Sequence, residues 1–375
     1  MKSNTLLIIS CFDIIGSNTA AEHRVKLYIK SLIRHNNINK IYLFYSNTLW
    51  TFDKDLNVIN QKRTIKQTVK LINRETPIFI YPSTNVLKVF YYLFYFKLIH
   101  VRKLFIEANE IRKYSTTLYQ GNLLSLIRYK LILKKFLSII YDYSIKYFDG
   151  IISISENIKR YYSQINKNIL IIPILSEIPN EINSYRTYNY NSPFIITFTG
   201  TVNIKKENLD ILFEAISMVN SNIQLHLYGP INNYNLNVLN ELIIKLSLSN
   251  RVFYKGFVSQ EVLKDIFNES HLLILPRGNI KQNQYGFSTK LSEYLVSGRP
   301  VLVTNVSDNG KYIFDMVNGF IIEPDSLNAF VSKIEYIYSN YNNFYNTLPR
   351  NAINTVKENF DYKLYTDKLY NFLFS

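Results

Sequence analysis

Residues 285–304 read YGFSTKLSEYLVSGRPVLVT. A turn containing Gly286 leads into a helix for which Ser288 and Thr289 are suitable caps. The helix ends at Gly298, and Pro300 opens a Val-rich strand. The first backbone N–H groups of such a helix are unpaired and lie at the positive end of its dipole, where a phosphate-like anion binds well. Glu293 follows about one turn later, near enough to that mouth to accept hydrogen bonds from ribose hydroxyls. Loop, helix and strand in this order are one crossover of a parallel α/β sheet.

Upstream, residues 198–216 read FTGTVNIKKENLDILFEAI and repeat the scheme. A strand runs into a turn at Gly200, and the pair Lys205-Lys206 stands before a helix, with ammonium groups above the strand end. The same alternation extends both ways. Strands are expected at 6–10, 40–45, 77–81, 103–107, 150–155 and 168–172, with helices at 21–35, 86–99, 123–147 and 156–164. The second half gives strands at 194–200, 223–229, 252–255, 272–276, 300–304 and 319–322. Its helices fall at 208–220, 237–248, 259–268, 289–297 and 326–339, and a last helical stretch runs from about 351 to 374. Residues 178–193, IPNEINSYRTYNYNSP, lack apolar periodicity and read as a linker. Two doubly wound α/β domains follow, 1–180 and 190–348, facing across a cleft.

The chain has 375 residues, 47% of them hydrophobic and 19% charged, which fits packed domains rather than a disordered chain. Its net charge of +15 is uneven: residues 1–180 hold 26 Lys/Arg against 11 Asp/Glu, and the rest hold 17 of each. The excess therefore marks the first domain as the one facing an anionic partner. A single cysteine, Cys11, excludes an intramolecular disulfide and a Cys-based zinc site. It follows Leu6-Leu7-Ile8-Ile9, a run too short for a secretion signal and read as a first strand. No apolar run reaches the ~18 residues of a membrane span.

Taken in order, FTGTVNIKKENLDILFEA, IQLHLYG, RVFYKGFVSQEVLKDIF, HLLILPRG and GFSTKLSEYLVSGRPVLVT resemble the group 1 (family 4) glycosyltransferases, retaining enzymes of the GT-B fold. The likeness covers nearly all of 194–345. LLIISCF with Gly16 beyond it, LFIEANEIRKY and FDGIISISENIKRYY resemble the first domain of that family more loosely. The resemblance implies that Glu293 holds the donor ribose and that Lys206, or its neighbour Lys205, grips the donor diphosphate. Backbone amides at Thr289 and Lys290 would cap that diphosphate, within the donor-binding turn Tyr285, Gly286, Phe287 and Ser288. Phe257 and Val258 would border the base, and Gly200 and Gly16 would let backbone approach the phosphates. Glu107 and Asn109 fall where acceptor-side groups are expected. Two positions depart from the family pattern. Tyr285 stands eight residues before Glu293 in place of a glutamate, and Thr201 stands after Gly200 in place of an arginine.

The implied activity is a hexosyltransferase moving sugar from a nucleotide diphosphate donor to a lipid-linked or glycan acceptor in bacterial surface-polysaccharide assembly. Such an enzyme needs no metal or further cofactor, and residues 349–375 would form a helix returning to the first domain. Two alternatives stay open: a sugar-nucleotide epimerase of the same fold, and a non-catalytic sugar-nucleotide-binding partner of another transferase. Asp53-Lys54-Asp55 spells D-x-D but falls in a polar turn, and the five histidines lack metal-ligand spacing. The stretches 85–104 and 123–147 mix aromatic, apolar and basic residues. Beyond covering a sheet, they are suited to an anionic membrane surface, with the protein peripheral on the inner face of the cytoplasmic membrane. No nucleic-acid motif appears.

Overall fold

The computed structural model describes residues 4–11, 19–53, 58–82, 85–115, 135–179, 188–189, 191–344 and 347–375. The chain divides into unit 1, Met1–Glu177 with Asp361–Ser375, and unit 2, Ile178–Phe360.

Unit 1 is built on an eight-stranded sheet. Its strands are β1 (Asn4–Ser10), β2 (Ile38–Tyr45), β3 (Thr48–Asp53), β4 (Val58–Lys62), β5 (Ile78–Tyr81), β6 (Leu104–Ala108), β7 (Gly150–Ser153) and β8 (Ile169–Ile171). They lie in the order β4-β3-β2-β1-β5-β6-β7-β8. From β2 to β8 every pair is parallel. Leu6 to Ile9 are fully buried, as a central strand covered on both faces requires. Up to residue 177 the described helices are α1 (Ala20–Ile33), α2 (Ile65–Val69), α3 (Val86–Leu98), α4 (135–144) and α5 (Glu156–Tyr162), and the C-terminal helix Thr366–Phe374 joins them. Of the helix expected at 123–147, residues 123–134 lie outside the described residues. Ser155 caps α5 by accepting the Ile158 N–H.

The region after Trp50 differs from the sequence reading. Two strands not expected from the sequence, β3 and β4, extend the sheet as an antiparallel meander. Ser46 and Asn47, both at positive φ, make the tight turn that joins β2 to β3. Asp53 is the last residue of β3, opposite Lys40, while Lys54 and Asp55 lie outside the described residues.

A buried ion pair fastens this unit internally. Glu107 on β6 is fully buried and accepts from Arg24 Nε at 2.7 Å and Tyr28 Oη at 2.8 Å. Arg24 spends its remaining nitrogens on the carbonyls of Pro173 and Ile172. One guanidinium therefore ties α1, β6 and the chain after β8 together. The C-terminal stretch read as one helix is two. Helix Leu348–Asn359 stays in unit 2, and only Asp361–Ser375 lies on unit 1. There Ser31 Oγ donates to the Tyr362 carbonyl, and His35 stacks on Tyr370 at 3.6 Å.

Unit 2 has a six-stranded sheet with all pairs parallel. Its strands are β9 (Phe194–Thr199), β10 (Ile223–Tyr228), β11 (Val252–Gly256), β12 (Leu272–Leu275), β13 (Val301–Thr304) and β14 (Phe320–Ile322). The order is β11-β10-β9-β12-β13-β14, the doubly wound arrangement with its switch between β9 and β12. Helices α6 (Leu209–Met218), α7 (Asn233–Lys245), α8 (Gln260–Glu269), α9 (Lys281–Tyr285), α10 (Lys290–Val296), α11 (Asn309–Tyr312), α12 (Leu327–Phe344) and α13 (Leu348–Asn359) complete it. Gly298, at φ +72°, ends the turn after α10 in the left-handed conformation. Among the described residues, no helix is long and apolar enough to cross a membrane.

Two measurements check this packing. Glu107→Leu strands the Arg24 charge in the interior and should cost about 3–5 kcal/mol in urea denaturation, most of it recovered in Arg24→Met/Glu107→Leu. An unrecovered double variant would contradict the pairing. In unit 2, His271 Nδ1 accepts the Ile195 N–H at 2.9 Å, so the ring is neutral. Burial, then the Arg299 charge, lowers its pKa from 6.5 to about 4. The unfolded chain protonates first, so stability present above pH ~6.5 is lost as pH falls towards 4, by about 2–3 kcal/mol. In His271→Asn, which keeps an acceptor there, that part of the acid loss should disappear.

Candidate functional site at the sheet switch of unit 2

Pairing between β9 and β12 stops at Thr197–Leu273, so the Thr199 N–H finds no strand partner on that side. It donates to Tyr294 Oη on α10 at 2.8 Å, and Thr199 Oγ1 lies 3.0 Å from the same oxygen. Tyr294 is fully buried, and loss of hydration raises its phenol well above the ordinary range. This contact holds α10 against the carboxyl end of β9.

The next residue is Gly200, at φ +136°. A Cβ there would stand 2.0 Å from Lys290 Cε and 2.8 Å from Lys290 Nζ. Gly229, at φ +135° after β10, would place a Cβ 2.0 Å from the Gly200 carbonyl oxygen. Two bare strand ends therefore nest together, and the Lys290 side chain lies across the first of them.

The loop from Thr201 to Asn208 is held by three asparagines. Asn203 Oδ1 accepts the Lys206 N–H, Asn235 Oδ1 accepts the Ile204 N–H, and Asn283 Nδ2 donates to the Lys206 carbonyl. Lys206 is thereby fixed by its backbone while its side chain stays about one-third exposed. Its Nζ lies 3.8 Å from Glu207 Oε1, and Arg277 Nε lies 3.4 Å from Glu207 Oε2. Buried Glu207 thus gathers two cations at the ends of β9 and β12. Lys205 points elsewhere: it is exposed and paired with Asp210, whose carboxylate raises its pKa. The geometry therefore separates the two lysines that the sequence left as alternatives.

Glu293, one turn into α10, is partly buried. Loss of hydration raises its carboxyl pKa, and the Lys290 charge pulls it the other way. Lys290 therefore links Gly200 at the end of β9 to Glu293, while Lys206 is held in the loop that follows β9; Thr201 is exposed. Phe257 and Val258 follow β11, with Phe257 73% exposed. Tyr285 ends α9, and Gly286 after it has ordinary negative φ.

Several expected roles change. Phe287 is buried and stacks on Tyr312 at 5.5 Å, so its ring serves the core rather than a ligand. Ser288 is also buried. Thr289 precedes α10 in helical conformation and makes no side-chain cap, so the side-chain capping read from the sequence is absent at that residue. Glu107 has both oxygens engaged by Arg24 and Tyr28, and Glu110 rather than Glu107 pairs with Arg112. Asn109 is partly buried and hydrogen-bonds Tyr81. Gly16 lies outside the described residues. The sequence reading used only the amide of Lys290 and passed over Glu207 and Arg277. A cation directly after the strand LLILP was the available signal for Arg277. Among the described residues, no group of three His, Cys, Asp or Glu side chains is placed to hold a metal ion.

Tyr294→Phe leaves the buried Thr199 N–H without its acceptor and should cost about 1–3 kcal/mol in urea denaturation. A change below about 0.5 kcal/mol would show that α10 is held by packing alone.

Residues 182–355 match the family model described as glycosyl transferases group 1. A sucrose synthase from Melioribacter roseus is 29% identical over 140 residues, 36% of this chain. That stretch is 17% of the sucrose synthase, so the chain spans only about a sixth of this curated relative. Among solved structures, the lipopolysaccharide outer core galactosyltransferase WaaB in its apo form aligns over 99% of both chains, with TM-score 0.67 and 16% identity. Anabaena Alr3699/HepE in complex with UDP-glucose aligns over 98% of both, with TM-score 0.65 and 14% identity. At these identities the structures establish the shared two-domain, Rossmann-like α/β fold of GT-B glycosyltransferases. The likeness to the group 1 glycosyl transferases thus spans residues 182–355, a little under half of the chain.

Proposed function

We propose that this chain is a retaining glycosyltransferase that moves a hexose from a nucleotide diphosphate donor to a lipid-linked or glycan acceptor. The observation that carries this reading is the Lys290 side chain lying across Gly200 at the end of β9, with its charge acting on Glu293 of the same helix. Glu293 takes the ribose hydroxyls, and Phe257 and Val258 border the base. Lys206 and the amides of Thr289 and Lys290 take the diphosphate. Where Thr201 leaves no arginine, the Lys290 side chain across Gly200 supplies the second cation.

Breaking the donor bond leaves an oxocarbenium-like sugar and adds negative charge to the departing diphosphate. Fixed cations and amides aimed at that charge lower the barrier, because they need no reorganisation as it develops. Same-face attack by the acceptor retains configuration and requires no nucleophile from the protein. We assign no metal to the reaction.

The finer setting is surface-polysaccharide assembly, such as capsule or lipopolysaccharide, at the inner face of the cytoplasmic membrane. The +15 charge confined to residues 1–180 and the likeness to WaaB support it.

Calorimetry with a panel of nucleoside diphosphates tests the site. Glu293→Ala should weaken the best ligand about tenfold or more, the scale of losing charge-assisted hydrogen bonds. Unchanged affinity would remove Glu293 from the site. Release of nucleoside diphosphate from a panel of UDP-hexoses is expected, and binding without release would leave a binding partner rather than an enzyme.

A further inference from the structure

Helix α3 is apolar on two faces. Val86, Val89, Leu93 and Phe96 are buried against unit 1. Leu87, Tyr91, Phe94 and Leu98, spaced four, three and four residues apart, form a second stripe that faces solvent. Phe94 is 73% exposed and Leu98 78%. Helix α4 and the turn after it repeat this. Tyr141 and Ile145 are buried, whereas Phe136, Ile140, Tyr143 and Tyr147 are exposed. A surface helix ordinarily turns polar residues to water, so two adjacent outward aromatic stripes mark a contact surface.

Between the stripes runs a groove of about 550 Å³, walled by Phe90, Phe94, Ile140, Tyr143 and Tyr147. Its charged lining is Lys97 and Lys146. The Lys146 ammonium lies 5.2 Å from the Tyr143 ring centroid and 5.0 Å from that of Tyr147. Lys88 and Lys135 are exposed on the same two helices. Opposing charge is scarce. Helix α3 carries no carboxylate, and Asp142 on α4 is buried, accepting from Tyr161 and Tyr162. Asp149, just beyond, is 3.4 Å from Lys97.

We propose that this face docks on an anionic bilayer, with the groove taking a lipid acyl chain and the lysines meeting headgroup phosphates. Outward aromatics bounded by ammonium groups match the two layers of a membrane interface, apolar below and negatively charged above. A soluble protein partner would answer the apolar stripes but supplies no reason for a rim in which Lys88, Lys97, Lys135 and Lys146 outnumber the nearby Asp149 carboxylate. The inference rests on the proposed reaction only in expecting a lipid-borne acceptor; the docking itself needs no sugar nucleotide.

The test is flotation of the full chain with phosphatidylcholine vesicles and with vesicles containing three parts in ten phosphatidylglycerol, at low and high salt. The protein should float with the anionic vesicles at low salt and lose part of that binding at high salt. Phe94→Glu/Tyr143→Glu, both at exposed positions, should weaken binding about tenfold or more with an unchanged thermal midpoint. Lys97→Ser/Lys146→Ser should reduce mainly the salt-sensitive part. Absence of wild-type flotation at low salt, or flotation of the Glu pair equal to wild type, would overturn the proposal. So would a dimer in sedimentation velocity that the Glu pair abolishes, because a second copy would then cover this face. Nucleoside diphosphate calorimetry on the same preparations keeps the two readings apart. Lost flotation with intact nucleotide binding defeats only the docking, and the reverse result defeats only the reaction.

Discussion

The candidate site of unit 2 depends on one steric constraint: no side chain fits at the ends of β9 and β10. Gly200 and Gly229 both adopt positive φ, with the carbonyl of one occupying the Cβ position of the other. That absence lets Lys290 cross the strand end, beside the Tyr294 hydroxyl that takes the Thr199 N–H. The helix carrying Glu293 is thereby seated directly on the switch point. An alanine at Gly229 would meet both a strained backbone and the Gly200 main chain, and one at Gly200 would be strained and would push the Lys290 side chain off the strand end.

A second constraint governs how charge is used. Unit 1 holds the basic excess, yet its best-buried cation is not available to any partner. Arg24 is committed to Glu107 and two carbonyls, and Arg112 to Glu110 and the Tyr141 ring. The lysines of α3 and α4 remain at the surface, beside exposed aromatic rings. Net charge by itself could not have divided these two populations, because the division is one of burial.

Unit 2 was the more legible half in sequence. Its strands are short apolar runs bounded by glycine or proline, and the helices between them carry clear periodicity, so order and approximate limits follow from local pattern. The switch-point cluster was also legible in part, since a glycine turn and a basic pair before a helix carry their own mechanism. What escaped notice depends on three-dimensional approach. Lys290 reaches Gly200 from a helix ninety residues away, and Glu207 meets Arg277 across the switch point. Glu107 looked like a polar group at a strand end, yet its partner comes from α1, eighty-three residues earlier. The β3–β4 meander was missed because Ser46-Asn47 is a weak turn signal beside Asn-Gly, and β4 is exposed along its whole length.

The central claim is that nucleotide phosphates rest over the bare end of β9. A structure of the chain with a nucleoside diphosphate tests it most directly. Phosphate oxygens should lie within hydrogen-bonding distance of Lys206 and Lys290, with the ribose hydroxyls on Glu293. A nucleotide bound elsewhere in the chain, or bound there with Glu293 and both lysines turned away, would contradict it.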